Sequence, residues 1–250
     1  MQRFFITLAY NGKNYVGWQV QPNGMSVQQE LQDALSIILR QKVDITGAGR
    51  TDAGVHARKM VAHFDWNGQP LNAIELVNKL NSFLPKSISI SYIRQVKLDA
   101  HARFSAVSRT YSYYVTTNKD PFLNELTHRI FFQPNLELIN RLCSILKEYN
   151  DFTSFSKLHT DVKTNNCVIS FAQCVKTGEN MYVFTLTADR FLRNMVRAIV
   201  GTLLEAGRGR LDERGLRRII EAKNRCLAGD SVPGHALFLE DVIYPNDIWL

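Results

Sequence analysis

Apolar and polar residues alternate over residues 3–10, with Phe4, Ile6 and Leu8 on one face and Phe5, Thr7 and Ala9 on the other. That period of two predicts a strand. Residues 11–14 carry a turn signal, and 15–22 read as an irregular surface segment around Trp18. Ser26 opens a helix: Ser26-Val27-Gln28-Gln29 has the spacing of a capping box, and Val27, Leu31, Leu35 and Ile38 recur at helical intervals. Short strands follow at 42–46 and 60–66. A helix over 71–83, with Ile74, Val77, Leu80 and Leu84 as its apolar side, stops at Pro85. A further strand at 87–96 places Ile88, Ile90 and Tyr92 on one face.

The second part of the chain repeats this order. A strand at 108–117 carries Tyr111, Tyr113 and Val115 on one face. A helix at 136–149, a hairpin of strands 167–176 and 181–188, helices at 189–206 and 211–224 and a strand at 236–243 complete it. Gly207 ends the first helix of that pair. The expected fold is therefore α+β: two ferredoxin-like (β-α-β-β-α-β) halves, residues 1–104 and 105–250. Their mainly antiparallel sheets join into one extended sheet, with helices on one side and a cleft between the halves. The halves share element order, not sequence.

Composition changes this picture in one respect. Across 250 residues the net charge is +7, which favours a polyanionic partner such as nucleic acid. Residues 189–225 contribute ten basic and five acidic side chains. A helix there puts Arg193 and Arg197 on one face with Gly201. A glycine inside a helix costs roughly 1 kcal/mol relative to alanine, which close packing would offset. The N-terminal residues lack a signal-peptide layout and no apolar run is long enough to span a bilayer, so a cytoplasmic protein is expected. Cys143, Cys167, Cys174 and Cys226 have no C-x-x-C spacing and read as buried reduced thiols.

The candidate chemistry sits in Gly47-Ala48-Gly49-Arg50-Thr51-Asp52-Ala53-Gly54-Val55-His56-Ala57. Three glycines, a carboxylate, a guanidinium and an imidazole lie between two strand-like runs. The spacing is neither a P-loop nor G-x-G-x-x-G. Taken alone, the loop is equally compatible with a structural Gly-rich turn. Tyr111 and Tyr113 are candidate stacking platforms for bases, although strand tyrosines are more often core. His56 is a candidate general base or a hydrogen-bonded structural histidine. No spacing supports a metal site from His56, His63 and His101.

The chain resembles the tRNA pseudouridine synthase A family over nearly its whole length. Residues 47–57 match G-A-G-R-T-D-A-G-V-H-A at every position. Residues 10–22 resemble Y-D-G-T-x-F-x-G-W-Q-x-Q-P, residues 101–106 match H-A-R-F-S-A, and Arg109-Thr110-Tyr111-Ser112-Tyr113 matches R-x-Y-x-Y. Residues 151–155 resemble D-F-x-S-F, 195–201 M-V-R-x-I-V-G, and 233–239 P-x-x-G-L-x-L. The resemblance implies a tRNA-uridine isomerase acting in the anticodon stem-loop, at positions 38, 39 and 40 of the tRNA. It implies no cofactor or metal, and a homodimer. It gives Asp52 the role of nucleophile and pairs Arg197 with it. Tyr111 would stack on the uracil and move a proton at C5, Leu237 would pack on the base's other side, and Arg50 would fill the space the base vacates. Asn11, Val232, Ala236 and Lys163 depart from the family pattern. A non-catalytic RNA-binding or tRNA-folding protein is the alternative. A carboxylate-dependent hydrolase would want a second carboxylate beside Asp52, and Asp65 has no evident pairing with it.

Overall fold

The computed structural model describes residues 1–157 and 164–250. The chain forms two compact units, Met1–Val107 with Phe238–Leu250, and Ser108–Leu237. Among the described residues, no helix is long and apolar enough to cross a membrane.

In the first unit the strands are β1 (Gln2–Tyr10), β2 (Ile45–Gly47), β3 (His56–Trp66) and β4 (Ile88–Val96), with helices α1 (Val27–Leu39) and α2 (Ala73–Phe83). β1 lies between β4 and β3, and β2 adds to β3, all antiparallel. This is the split β-α-β arrangement expected from the element order. Phe5, Ile6, Leu8, Met60 and Phe64 from the sheet are buried with Leu31, Leu35 and Leu80 from the helices. Burying each such side chain is worth about 1.5–3 kcal/mol.

Local details depart from simple periodicity. In β4 the register slips by one residue between the Leu8↔Ile90 and Thr7↔Tyr92 pairs. This bulge moves Ile93 to the buried side and leaves Tyr92, expected on that face, exposed. On α2 the buried side is Leu76 and Leu80, while Ile74 is exposed. The helix starts at Ala73 after the Asn72 cap, so Ile74 falls in its first turn, on the solvent side. At α1 only half of the capping box forms. Ser26 Oγ accepts the Gln29 N–H at 3.2 Å, but the Gln29 side chain turns along the helix and its amide donates to the Asp33 carboxylate at 2.7 Å, a charge-assisted bond.

In the second unit the strands are β5 (Ser108–Thr116), β6 (His128–Arg129), β7 (Ile169–Lys176) and β8 (Met181–Ala188), with helices α3 (Leu136–Leu146), α4 (Met195–Gly207) and α5 (Glu213–Glu221). β8 is hydrogen-bonded between β5 and β7, both antiparallel, and β6 runs parallel to β5. Each unit clamps a strand with one asparagine. The Asn81 amide on α2 bonds both backbone groups of Ile90 at 2.7 and 2.9 Å. The Asn140 amide on α3 does the same to Cys174 at 2.8 and 2.9 Å. Each clamp satisfies outward-facing backbone groups that an exposed strand edge would leave open.

The last strand, β9 (Leu237–Ile243), expected at the end of the second half, pairs in parallel with β3 through His56↔Phe238 and Ala57↔Leu239. Arg58 to Glu240 and Lys59 to Asp241 ion pairs continue that seam. The buried thiols of Cys143, Cys167 and Cys174 are pushed up to about 12 by burial. Cys226, expected to be buried, is exposed.

Candidate active site

The stretch 48–55 leaves β2 and enters β3 as an irregular loop, and a second stretch of chain holds it from one side. That stretch is the end of β1 and the turn after it, residues 10–18. Residues 15–18 were expected at the surface, yet Tyr15 and Trp18 are buried. Their burial follows from what they grip. Trp18 N–H donates to Thr51 O, Gly54 N–H donates to Tyr15 O, and the Tyr10 and Thr51 hydroxyls share a buried hydrogen bond of 2.8 Å. Two glycines permit this backbone-on-backbone approach. A Cβ on Gly12 would stand 2.0 Å from Val55 O, and one on Gly17, at φ +119°, would stand 2.3 Å from Thr51 O. The opening motif and the loop motif are thus the two faces of one contact.

Within the loop, Val55 N–H closes a turn onto Asp52 O, and Gly54 takes φ +76°. Thr51 and Val55 are buried on either side of Asp52, which is half-buried, while Arg50 is exposed. The loop therefore fixes the backbone of Asp52 from both flanks. Beside Arg50, a Cβ on Gly49 would meet no atom within 4 Å.

His56 is a structural residue. It is 2% exposed, its Nδ1 accepts the Gly12 N–H at 3.1 Å, and its ring stacks on Phe238 at 4.5 Å. The general-base reading gives way to the structural one, because the basic nitrogen is already occupied. His63 and His101 are used similarly. His63 Nδ1 accepts Ala102 N–H, and His101 Nδ1 accepts the N–H groups of Arg103 and Phe104. Burial, with Arg3 and His101 adding to it, pushes the His63 pKa down to about 4. The H-A-R-F-S-A motif thereby anchors Ala102 in the core and leaves Phe104 exposed.

In the second unit, Tyr111 and Tyr113 share a face of β5 but not a role. Tyr113 is fully buried, and its hydroxyl donates to Pro233 O at 3.0 Å. Burial pushes its pKa well above the tyrosine range, against the pull of Arg197's positive charge. It is core, not a stacking platform. Tyr111 is half-buried and meets Phe191 edge-on at 5.2 Å. Phe191 escaped the sequence reading because it lies in what was read as the first turn of a helix. That helix, α4, begins six residues later than expected, at Met195. Arg193 therefore lies before it and shares no helix face with Arg197. Arg197 is half-buried, with its Nε donating to Val232 O at 2.7 Å. Leu237 is 6% exposed at the first position of β9.

The remaining motifs are structural. In D-F-x-S-F, Ser154 is buried, donates to Ile219 O and accepts Asn224 N–H, which ties the end of α5. Burial opposes the Asp151 charge, but hydrogen bonds from Thr153 and Lys223 hold its carboxyl below the usual range. Part of the basic stretch is held in surface ion pairs: Arg208 and Arg210 with Glu205, Arg217 with Glu148 and Lys223 with Asp151. Among the departures, Asn11 Oδ1 caps the turn after β1 by accepting Lys13 N–H, a job an aspartate would do equally. Ala236 is fully buried. Lys163 lies outside the described residues.

Comparison with known proteins agrees with these motifs. A family model described as tRNA pseudouridine synthase matches residues 6–105 and 149–245. A tRNA pseudouridine synthase A of Parabacteroides distasonis is 60% identical over 249 residues, covering 100% of this chain and 98% of the relative. One from Bacteroides thetaiotaomicron is 59% identical, covering 100% and 93%. One from Exiguobacterium sibiricum is 35% identical, covering 98% of each. On the family model and on relatives at 60% and 59% identity over the whole chain, the chain belongs to the tRNA pseudouridine synthase A family.

Proposed function

We propose that this chain isomerises uridine to pseudouridine in the anticodon stem-loop of tRNA. The C1′–N1 bond breaks, the uracil turns, C5 bonds to C1′, and the proton on C5 is lost while N1 gains one. Asp52 is the nucleophile. Tyr111 stacks on the uracil and serves proton transfer at C5. Arg197 is the cation that pairs with the carboxylate, Leu237 packs on the base and Arg50 fills the vacated place in the stem. Extrusion of the base costs a few kcal/mol. Working in the cytoplasm, the enzyme acts as a homodimer.

The observation carrying this reading is the Asp52 loop. Its backbone is fixed by Thr51, Val55 and the Tyr10–Trp18 stretch, and Asp52 itself is half-buried between two buried neighbours. The test is a pseudouridine map of an unmodified tRNA transcript by carbodiimide labelling and primer extension, with Asp52→Ala in parallel. Stops on the 3′ side of the anticodon arm with wild type alone are expected. Stops with both proteins would remove Asp52 from its role. Tight tRNA binding without stops from either would favour the RNA-binding alternative.

A further inference from the structure

The segment after α5 makes a single 3-10 turn at Arg225–Leu227 and then lies over α4 as a strap, residues 228–233. Two glycines let it lie flush on the helix. A Cβ on Gly201 would stand 1.8 Å from Asp230 O, and one on Gly229 would stand 2.9 Å from the Thr202 backbone. The close approach expected from a mid-helix glycine is thus made by this strap. The strap is pinned by hydrogen bonds along its length. Thr202 Oγ1 accepts Gly229 N–H at 2.9 Å. Ser231 Oγ receives Asn194 Nδ2 at 2.5 Å and Arg225 Nη2 at 2.8 Å. Arg225 Nη1 also donates to Gly229 O at 3.1 Å. The core Tyr113 hydroxyl holds Pro233 O.

Asn194 shows what the arrangement sacrifices. It is the residue that should cap α4, yet it sits at φ +67° and its side chain makes no capping bond. A cap is worth roughly 1 kcal/mol. Its amide grips Ser231 instead. Between the pins at Ser231 and Pro233 lies Val232, which meets Arg197 twice: its N–H donates to Arg197 O at 3.2 Å, and its O accepts Arg197 Nε at 2.7 Å.

We propose that the strap is a positioning device for Arg197, with Ser231 as its clasp and Asn194, Thr202 and Tyr113 as supports. Because Nε is committed to Val232 O, Arg197 meets an anion only through its terminal Nη groups, along a direction the strap sets. Lysine carries its donors on a single nitrogen and has no second one to anchor in this way, so it could not reproduce the geometry. This inference rests on the catalytic role proposed for Arg197.

The test is single-turnover kinetics on the full-length protein, with tRNA affinity and melting temperature measured beside it. Ser231→Ala is expected to lower the rate of isomerisation about tenfold, with tRNA affinity within about twofold. Ser231→Thr, which keeps the hydroxyl, restores the rate. In an Arg197→Lys background, Ser231→Ala has no further effect, as for residues acting through one another. Thr202→Val, which loosens the strap elsewhere, shows the same pattern and serves if Ser231→Ala does not fold. A wild-type rate in both Ser231→Ala and Thr202→Val would overturn the proposal. So would an equal loss with and without Arg197. If Asp52→Ala and Arg197→Lys are inactive or slow while the strap variants are not, the strap inference alone fails. If Asp52→Ala retains full activity, the catalytic reading fails first.

Discussion

The loop that carries Asp52 and the helix that carries Arg197 are each crossed by a second stretch of backbone, and the two crossings are held differently. The first is loop on loop. Residues 10–18 bind residues 51–56 mostly through main-chain groups, with Gly12 and Gly17 at the points of approach. The second is strap on helix, with Gly201 and Gly229 at the approach and side chains doing the pinning: Asn194, Thr202, Arg225, Ser231. A charged residue on a loop needs its backbone immobilised. One on a helix already has that, and needs only its side chain aimed. The difference in means follows from that difference in need.

The glycines give the strongest way to break this comparison. Gly12→Ala and Gly201→Ala drive a methyl into a carbonyl oxygen at 2.0 and 1.8 Å. Each is expected to destabilise by at least about 3 kcal/mol, read as a fall in Tm of at least about 6 °C. Gly49→Ala, which meets nothing within 4 Å, is expected to leave Tm within about 1 °C. Equal losses at all three positions would mean that close approach is not why those glycines are there.

Acid sharpens it next, because among the described residues the strongly shifted histidine, His63, lies in the first unit. The unfolded chain takes up a proton at His63 near pH 6.5, whereas the folded one resists to about 4. Between those values the unfolded state binds more protons. Stability is therefore full above about pH 6.5 and falls through the window, by on the order of 2–3 kcal/mol. His63→Asn, which keeps an acceptor for Ala102 N–H, should flatten urea-derived stability between pH 6.5 and 4. An unchanged slope would place the acid sensitivity elsewhere.

The smallest effect is expected at Arg141, which bridges Glu137 and Glu213 at the surface of the second unit. Arg141→Ala should cost no more than about 0.5 kcal/mol by urea denaturation. A larger loss would show that α3 and α5 depend on that surface bridge.

The sequence foretold the architecture where hydrophobic period and motif coincide. β1, α1 and the β7–β8 hairpin stand close to where alternation puts them, and the Gly47–Ala57 loop announces itself by composition. It failed where the deciding interaction is distant. Nothing local says that Ser91 begins a bulge and sends Tyr92 outward. Nothing local says that residues 189–194 stay unwound because Asn194 reaches for Ser231, thirty-seven positions on. Tyr111 and Tyr113 are equivalent by alternation, and only the reach of Pro233 separates core from candidate site. The strap is made of ordinary residues, so its role appears only once its partners are in place.

The pairing of β9 with β3 also constrains how the chain is made. The first unit is discontinuous: Phe238–Leu250 belongs to it, but is separated from Met1–Val107 by the whole of Ser108–Leu237. Phe5 lies at the heart of that unit and is packed edge-on by Tyr244 and Trp249. On a ribosome delivering about 5–20 residues per second, the start of the chain must therefore wait through synthesis of the other unit before its own core can close. During that interval it is a partial fold with Phe5 incompletely covered, open to chaperones and to its own neighbours on the same message.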